Sequence, residues 1–461
     1  MTTIAKICEQ NKDEGKVWFQ IVAILIASLS SLTTGIIISW PSPFIPKIVE
    51  DKENYDITEE QASYFAAINI IGLIVLSPFF VPLVNILGRK KCILMSSIPY
   101  ITTLLIKAFV TNIWGLYLAR LITGFGDVLI FNCLPVYIGE ISTPKVRGLW
   151  GNAFVCSIFS GQFVVNVLGT YFSVQATSFI AVTIPIALLI LFPFMPESPY
   201  FYISKGKDEE AKINLRRLRR KVNVDKEFET IKTAVQKQLS DPSGWMDIFR
   251  IAINKRAFLV VTFLRCAQIF GGVMTFAAYT KYIFQNTRSS IDPSVASILY
   301  AAVNATCHTC MSLISNKLGR RKSFISSTFL CSLVLFALGI YSLLQDFYPA
   351  VPLEGMDWFP LAGMLTYLLF CSFGLGTVPT LLLGELFPSS IKNKAVALVG
   401  SMFGLAAFSV NNFFYYFATY TGLCGPFLFF AGCNFLVTII SYFVMPETKN
   451  KTLEEIQQAL K

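Results

Sequence analysis

Long windows of this chain carry no charge, and nothing else constrains its fold so tightly. Residues 17–46, 148–196 and 323–345 contain no Asp, Glu, Lys or Arg. Each is long enough for a hydrocarbon core, which takes roughly 20 apolar residues at a rise of 1.5 Å. Only 14% of the 461 residues are charged, against about a quarter in a soluble domain. A soluble helical bundle has no use for so many chargeless runs. The chain reads as an all-α polytopic membrane protein with twelve spans, at about 18–40, 61–84, 92–111, 113–138, 148–171, 177–195, 257–281, 294–317, 324–344, 359–386, 395–418 and 424–446. The polar start "MTTIAKICEQNKDEGK" does not resemble a secretory leader.

The loops set the expected orientation. Basic residues gather in "GRKK", "STPKVRG", "KLGRRK", "SSIKNK" and the long segment 197–256, while "VEDKENYDITEE" and the region around 346–358 are acidic or neutral. By the positive-inside rule both termini and the long segment face the cytosol. This asymmetry accounts for the net charge of +10 without a nucleic-acid partner. The cysteines sit mostly inside apolar runs, as small buried side chains do. The Cys307/Cys310 pair lacks the second pair a metal site would need. No nucleophile or cofactor constellation is present, so an enzyme is not expected.

Three motifs occur twice and in the same order: "LGRKK" and "LGRRK" (Gly88, Gly319), "YIGEIS" and "LLGELF" (Glu140, Glu385), "MPESP" and "MPETK" (Glu197, Glu447). Two turns after the second motif comes a cation, Arg147 or Lys392. The chain therefore divides into two six-helix halves, 1–200 and 257–461, joined by a cytosolic helical linker, 201–256. Duplicated bundles of this kind are a transporter architecture, with the solute held between the halves near the midplane. Arg89, Glu140, Arg147 and Glu197 from one half, and Arg320, Arg321, Glu385, Lys392 and Glu447 from the other, are expected to pair when the cytosolic rim is shut. Exposed pairs are each worth about 0–1 kcal/mol, enough together to bias an equilibrium without locking it.

These residues resemble the sugar porter family of the major facilitator superfamily. The likeness runs through "GRKK", "ARLITGFG", "PVYIGEISTPKVRG", "MPESP", "GRRK", "GLGTVPTLLLGELFP" and "MPETKNKTLEEI". "SWPSPFIPKI" and "YFYISKGKDEEAKINLRRLR" are similar to the branch of insect facilitated trehalose transporters. The resemblance implies the major facilitator fold, a plasma-membrane location, a small sugar as partner alongside the lipid bilayer, and no cofactor. In the linker, Asp208, Glu209 and Glu210 open a helix that "RRLRRK" closes, which suits the helix macrodipole.

The resemblance also locates a sugar site. Gln268 keeps the first glutamine of the span-seven motif, Ile269 replaces the second, and Met274 stands for its asparagine. Asn304 matches the span-eight asparagine, Thr380 takes the place of the span-ten aromatic, Phe403 that of the span-eleven asparagine, and Val155 that of the span-five glutamine. Apolar residues thus replace several amides that would discriminate among polyols. Three readings stay open: a sugar transporter with rearranged contacts (Asn69, Asn166, Thr123, Thr275 or Asn411), a carrier of a less polar glycoside, or a sugar sensor that does not transport.

Proton symporters that resemble this chain carry a carboxylate in span one; 18–40 has none, which favours facilitated diffusion over proton coupling. Asp127 nonetheless lies within span four. Arg120 is about 10 Å away along the helix axis, so Arg265 in span seven is the expected partner, with a solvated carboxylate or a proton-coupling site as alternatives. His308 is expected as a satisfied core histidine, and Lys107 and Lys281 as snorkelling residues near the extracellular ends.

Overall fold

The computed structural model describes residues 16–448 except 56, 59, 63, 66–67, 70, 73–82, 85, 240–243, 288–290, 349–354 and 388–390; side chains of 144–145, 148, 237–239, 311–318, 384–385 and 392–393 also fall outside the description. Among the described residues the regular structure is helical, and ten helices are long and apolar enough to cross a membrane. Much of the expected second span, 61–84, lies outside the described residues.

Helix α1 (Trp18–Ser39) passes through Trp40, itself in helical geometry, into α2 (Pro41–Glu50). The span therefore runs past its expected end at residue 40. Pro41 opens α2 and lacks an N–H to bond back into α1, which divides the span at Trp40. Next come α3 (Arg89–Phe109), α4 (Ile113–Ile141), the short α5 (Pro144–Trp150), α6 (Ala153–Tyr171) and α7 (Val174–Leu191). Their buried apolar side chains, from Phe19 to Leu218, form one cluster.

After α8 (Pro199–Ser204), α9 (Asp208–Arg219) and α10 (Asp225–Leu239) make a small separate core from residues such as Leu215, Val224, Phe228 and Ile231. Three acids occupy the first turn of α9 and three arginines its last. Arg219 is buried there, donating to the Ile141 carbonyl and pairing with Glu227 at 2.9 Å, which docks α9 under α4.

The second large cluster runs from Ile248 to Met445. It is built from α11 (Asp247–Arg250), α12 (Ala252–Phe270), α13 (Val273–Ala278), α14 (Thr280–Gln285), α15 (Pro293–Leu318), α16 (Arg320–Phe347), α17 (Phe359–Phe373), α18 (Val378–Glu385), α19 (Lys392–Thr421) and α20 (Cys424–Val444). Two expected spans are broken rather than continuous. Span seven parts between α12 and α13 at Gly271–Gly272, with Gly272 at φ +93°. Span ten parts between α17 and α18 at residues 374–377.

A broken helix inside a membrane must satisfy its freed backbone groups from its neighbours. Here the Tyr367 hydroxyl donates to the Gly271 carbonyl at 2.8 Å and the Asn434 amide to the same oxygen at 3.2 Å. The Ser327 hydroxyl accepts from the Leu375 N–H at 2.9 Å. The clusters meet where α6 packs on α15, and, at the end of the molecule opposite the basic turns, where α14 packs on α2 and the Tyr64 and Tyr416 hydroxyls bond at 2.6 Å.

Candidate functional site

The repeated basic turns are helix starts, each closed by a carboxylate from its own cluster. Gly88 precedes α3 at φ +90° and Gly319 precedes α16 at φ +94°. Glu197 accepts from the Lys90 N–H at 3.0 and 3.1 Å and from the Ser198 N–H at 2.8 Å. Glu447 accepts from the N–H groups of Arg320 at 3.0 Å and Arg321 at 3.3 Å. A carboxylate at a helix N-terminus meets unpaired N–H groups and the positive end of the dipole. Space dictates the glycines as well: a Cβ on Gly88 would lie 2.4 Å from Glu197 Oε2, and one on Gly319 2.9 Å from Glu447 Oε2. Burial pushes the Glu197 carboxyl above the usual carboxylate range, against the backbone N–H groups of Ser198 and Lys90, which pull it down.

The other rim residues likewise bond within their own cluster. Arg89 pairs with Glu140 at 3.1 Å, Arg147 donates to the Gly139 carbonyl at 2.6 Å, and Arg321 donates to the Tyr442 carbonyl. The side chains of Glu385 and Lys392 lie outside the described residues.

Between the clusters runs a line of polar groups. Gln268, on α12, donates to the Gly376 carbonyl at 2.7 Å, so the amide spans the two helix breaks. Arg265, one turn earlier, donates to Gln268 Oε1 at 2.5 Å and to Thr380 Oγ1 at 3.1 Å, and its guanidinium lies 3.9 Å from the Phe403 ring centroid. His308 packs against Gly376, where a Cβ would sit 2.5 Å from its Cε1, and stacks on Phe159 at 4.0 Å. One turn before His308, the Asn304 amide donates to Gln162 Oε1 at 3.0 Å across the boundary between clusters.

Three buried polar atoms in this line lack a hydrogen-bond partner among the described residues: Gln162 Nε2, Asn304 Oδ1 and His308 Nδ1. Unpaired buried groups are costly, and a hydroxylated solute would satisfy them. Gln268, Asn304, Thr380 and Phe403 are thus brought into one region; Met274, on α13, packs against the C-terminal cluster.

Several expectations change. Asp127 and Arg265 are not partners, because Asp127 faces the interior of the N-terminal cluster. It accepts from the Tyr100 hydroxyl at 2.9 Å, which also bonds Thr34 at 2.6 Å, and Asn69 hydrogen-bonds the same carboxylate. Arg120 donates to the Phe65 and Ile37 carbonyls at 3.0 and 2.8 Å. Lys107 does not snorkel: it is 1% exposed, with Nζ 4.5 Å from the Trp40 ring centroid and without an acceptor among the described residues. Lys281 has Glu50 and Asp292 as charged neighbours. His308 is buried, as expected, yet its Nδ1 is unsatisfied.

The alternative contacts are spent elsewhere. Thr275 bonds Asn411 at 2.8 Å, Asn166 bonds the Gln162 carbonyl of its own helix, and Thr123 bonds Thr103 and the Ala119 carbonyl. Gln162 and His308 are what sequence reasoning missed as site residues. A buried amide inside an apolar span seeks a hydrogen-bond partner on a neighbouring helix, and "SIFSGQFVV" carried that signal for Gln162.

A family model described as "Sugar (and other) transporter" matches residues 21–460. The chain is 30% identical over 447 residues to the facilitated trehalose transporter Tret1 of Bombyx mori, covering 96% of this chain and 87% of that one. It is 28% identical to the protein of the same name from Culex quinquefasciatus, over 96% of this chain and 86% of that one. Among solved structures it is similar to the proton:xylose symporter XylE bound to 6-bromo-6-deoxy-D-glucose, at a TM-score of 0.77 and 20% identity, over 96% of this chain and 99% of the other. The architecture is that of the twelve-helix major facilitator fold.

Proposed function

The chain belongs to the Sugar (and other) transporter family, and from that premise we propose that it carries a sugar, a hexose or a trehalose-like disaccharide, down its gradient by alternating access. The observation that carries this is the line of amides along the boundary between the clusters. Gln268 bridges two helix breaks, and Asn304 and Gln162 join the clusters while each keeps an unsatisfied polar atom. Buried sugar hydroxyls must regain the hydrogen bonds they lose from water, and these atoms offer a donor and an acceptor at the plane where two rocking bodies part.

In this reading 1–200 and 257–461 are the moving bodies, with 201–256 between them in the cytosol. Both termini are cytosolic and the protein resides in the plasma membrane. The rim capped by Glu197 and Glu447 then faces the cytosol, and its arginines bond within their own halves when that rim is parted. Glu385 and Lys392 would complete the pairing when it closes. Asp127, held by Tyr100 away from the amide line, serves structure rather than proton coupling.

The test is uptake of radiolabelled glucose and trehalose into proteoliposomes, with mannitol as control. Saturable uptake that stops at equilibrium and ignores a protonophore or an imposed pH gradient is the expected result. Accumulation against the solute gradient that collapses in Asp127→Asn would overturn the facilitative assignment.

A further inference from the structure

Among the described residues, Arg265 is a deep cation beside the amide line with no carboxylate to answer it. The other deep arginines each have a defined neutral or anionic environment: Arg89 pairs with Glu140, Arg219 with Glu227, and Arg120 donates to two backbone carbonyls with Asp127 as a charged neighbour. Arg265 has only the amide oxygen of Gln268, the hydroxyl of Thr380 and the face of Phe403. Among the described residues its titratable neighbour is the Cys266 thiol, and no carboxylate accompanies it. The guanidinium lies deep in the protein, yet the residue keeps some accessible surface beside an exposed Thr380.

The way Arg265 is held gives the chemistry. Both neutral acceptors bond the same nitrogen, Nη1. A guanidinium carries five N–H groups in a fixed plane, so the edge formed by Nε and Nη2 remains for a ligand. Those two parallel donors match the two oxygens of a carboxylate. Phe403 fixes the plane from one side, and Gln268 and Thr380 fix its rotation. The positively charged edge is therefore oriented before any solute arrives.

We propose that the solute is a sugar acid, a monoanionic polyol such as a hexuronate. Its carboxylate docks on the Nε–Nη2 edge of Arg265 and its hydroxyls take up Gln268, Asn304 and Gln162. This rests on the transport reading above and replaces its neutral sugar with an acidic one. One guanidinium neutralises one charge, so a monoanion fits better than a dianionic phosphate ester. A cation set deep in the protein attracts an anion more strongly than it would in water.

The experiment uses the full chain reconstituted in proteoliposomes, with glucuronate, glucose and glucose 6-phosphate as competitors of labelled substrate. Glucuronate should compete at least tenfold better than glucose, and its uptake, unlike that of glucose, should accelerate under an inside-positive potential. Arg265→Gln should lower the glucuronate-to-glucose preference at least tenfold; Arg265→Lys, which keeps the charge and loses the fork, should fall between. Saturable glucose or trehalose uptake that glucuronate does not inhibit would overturn the sugar-acid proposal and leave the transport reading standing. Stronger inhibition by glucose 6-phosphate than by glucuronate would overturn the choice of a monoanion. If no sugar is taken up at all, the transport reading fails. Thermal stabilisation of the detergent-solubilised protein by glucuronate, lost in Arg265→Gln, then still decides whether the anion site exists.

Discussion

The two bundles close their basic turns in the same way, with Glu197 over Gly88 in one and Glu447 over Gly319 in the other, but they differ in where they keep charge. The N-terminal bundle buries Lys107, Arg120 and Asp127 within its own helices, where Tyr100 and Thr34 connect α3, α4 and α1. The C-terminal bundle is braced by neutral groups. Tyr367 and Asn434 hold the Gly271 carbonyl, Ser327 bonds the Phe370 carbonyl and the Leu375 N–H, and Ser332 bonds the Ala431 carbonyl. Its deep cation, Arg265, is held by the neutral groups of Gln268, Thr380 and Phe403 instead. Neutral hydrogen bonds contribute about 0.5–1.5 kcal/mol each, whereas a buried charge stranded without its partner costs several times that. The comparison therefore casts the N-terminal bundle as the stiff body and the C-terminal bundle, broken at two helices, as the one that deforms around the solute.

The largest effect should come from attacking the stiff body. Asp127→Asn leaves Lys107 and Arg120 buried without their carboxylate and should cost about 3–5 kcal/mol, seen as a lower unfolding midpoint in detergent. Lys107→Met, which removes the excess cation from the Trp40 and Phe65 rings, should recover part of it. In the other bundle, Asn434→Leu should cost about 1–3 kcal/mol. If Asp127→Asn unfolds together with the native protein, the two interiors are not different in kind and the comparison breaks.

Next in size are the amides that the deformable body presents. Gln268→Ala and Asn304→Ala should each lose about 1–3 kcal/mol of solute binding, and Gln162→Ala a similar amount, because it bonds Asn304 across the boundary. Asn166→Ala, whose amide is spent on the Gln162 carbonyl and the Ser42 hydroxyl, should bind normally. Calorimetric titration separates the cases. Unchanged binding in all three of the first set would place the solute elsewhere.

The spans, their duplication and the family were legible because each rests on local or periodic signals: chargeless runs, basic turns and motifs repeated in order. Gln268 and Asn304 were singled out for the same reason, as positions within recognisable strings. What escaped depended on which way a side chain turns. Asp127 and Arg265 were paired on the argument that spans four and seven line one cavity, yet Asp127 sits on the face of α4 that meets Tyr100. Lys107 lies near a helix end, where a lysine normally reaches water, but the Trp40 and Phe65 rings enclose it. The rim acids were expected to pair between halves when the rim is shut, which left their partners in a parted rim open. The structure shows Glu197 and Glu447 bound to backbone N–H groups of their own halves, a use of carboxylate that charge counting does not reveal. Breaks at Gly271–Gly272 and at 374–377 were hidden inside runs that remain apolar throughout.

The twin glycines sharpen the comparison further. An L-residue at this combination of positive φ and extended ψ costs of order 1–3 kcal/mol, so Gly88→Ala and Gly319→Ala should both destabilise. Gly88→Ala should be the worse, since its Cβ would come within 2.4 Å of Glu197 Oε2 against 2.9 Å at the other turn. Equal midpoints for the two variants would mean that both carboxylates give way alike, and that the rims do not differ.

The smallest effect concerns the Glu197 cap and acid. Burial raises its carboxyl in the folded protein, with the Ser198 and Lys90 N–H groups opposing. A raised folded value means that the folded state holds the proton more tightly than the unfolded chain does. This group's contribution to stability therefore grows as pH falls through the raised value and levels off below the ordinary carboxylate value of about 4.3. That is the reverse of a carboxylate held ionised by a salt bridge. Each unit of raise is worth about 1.4 kcal/mol, so the whole term is small beside the loss of Asp127. Unfolding midpoints of the native protein and of Glu197→Gln, measured from neutral pH down to mild acid, should diverge, with the native protein gaining on the variant as acid is added. Parallel curves would show that the N–H groups of α3 fully offset burial, and that Glu197 caps its helix as a free carboxylate would.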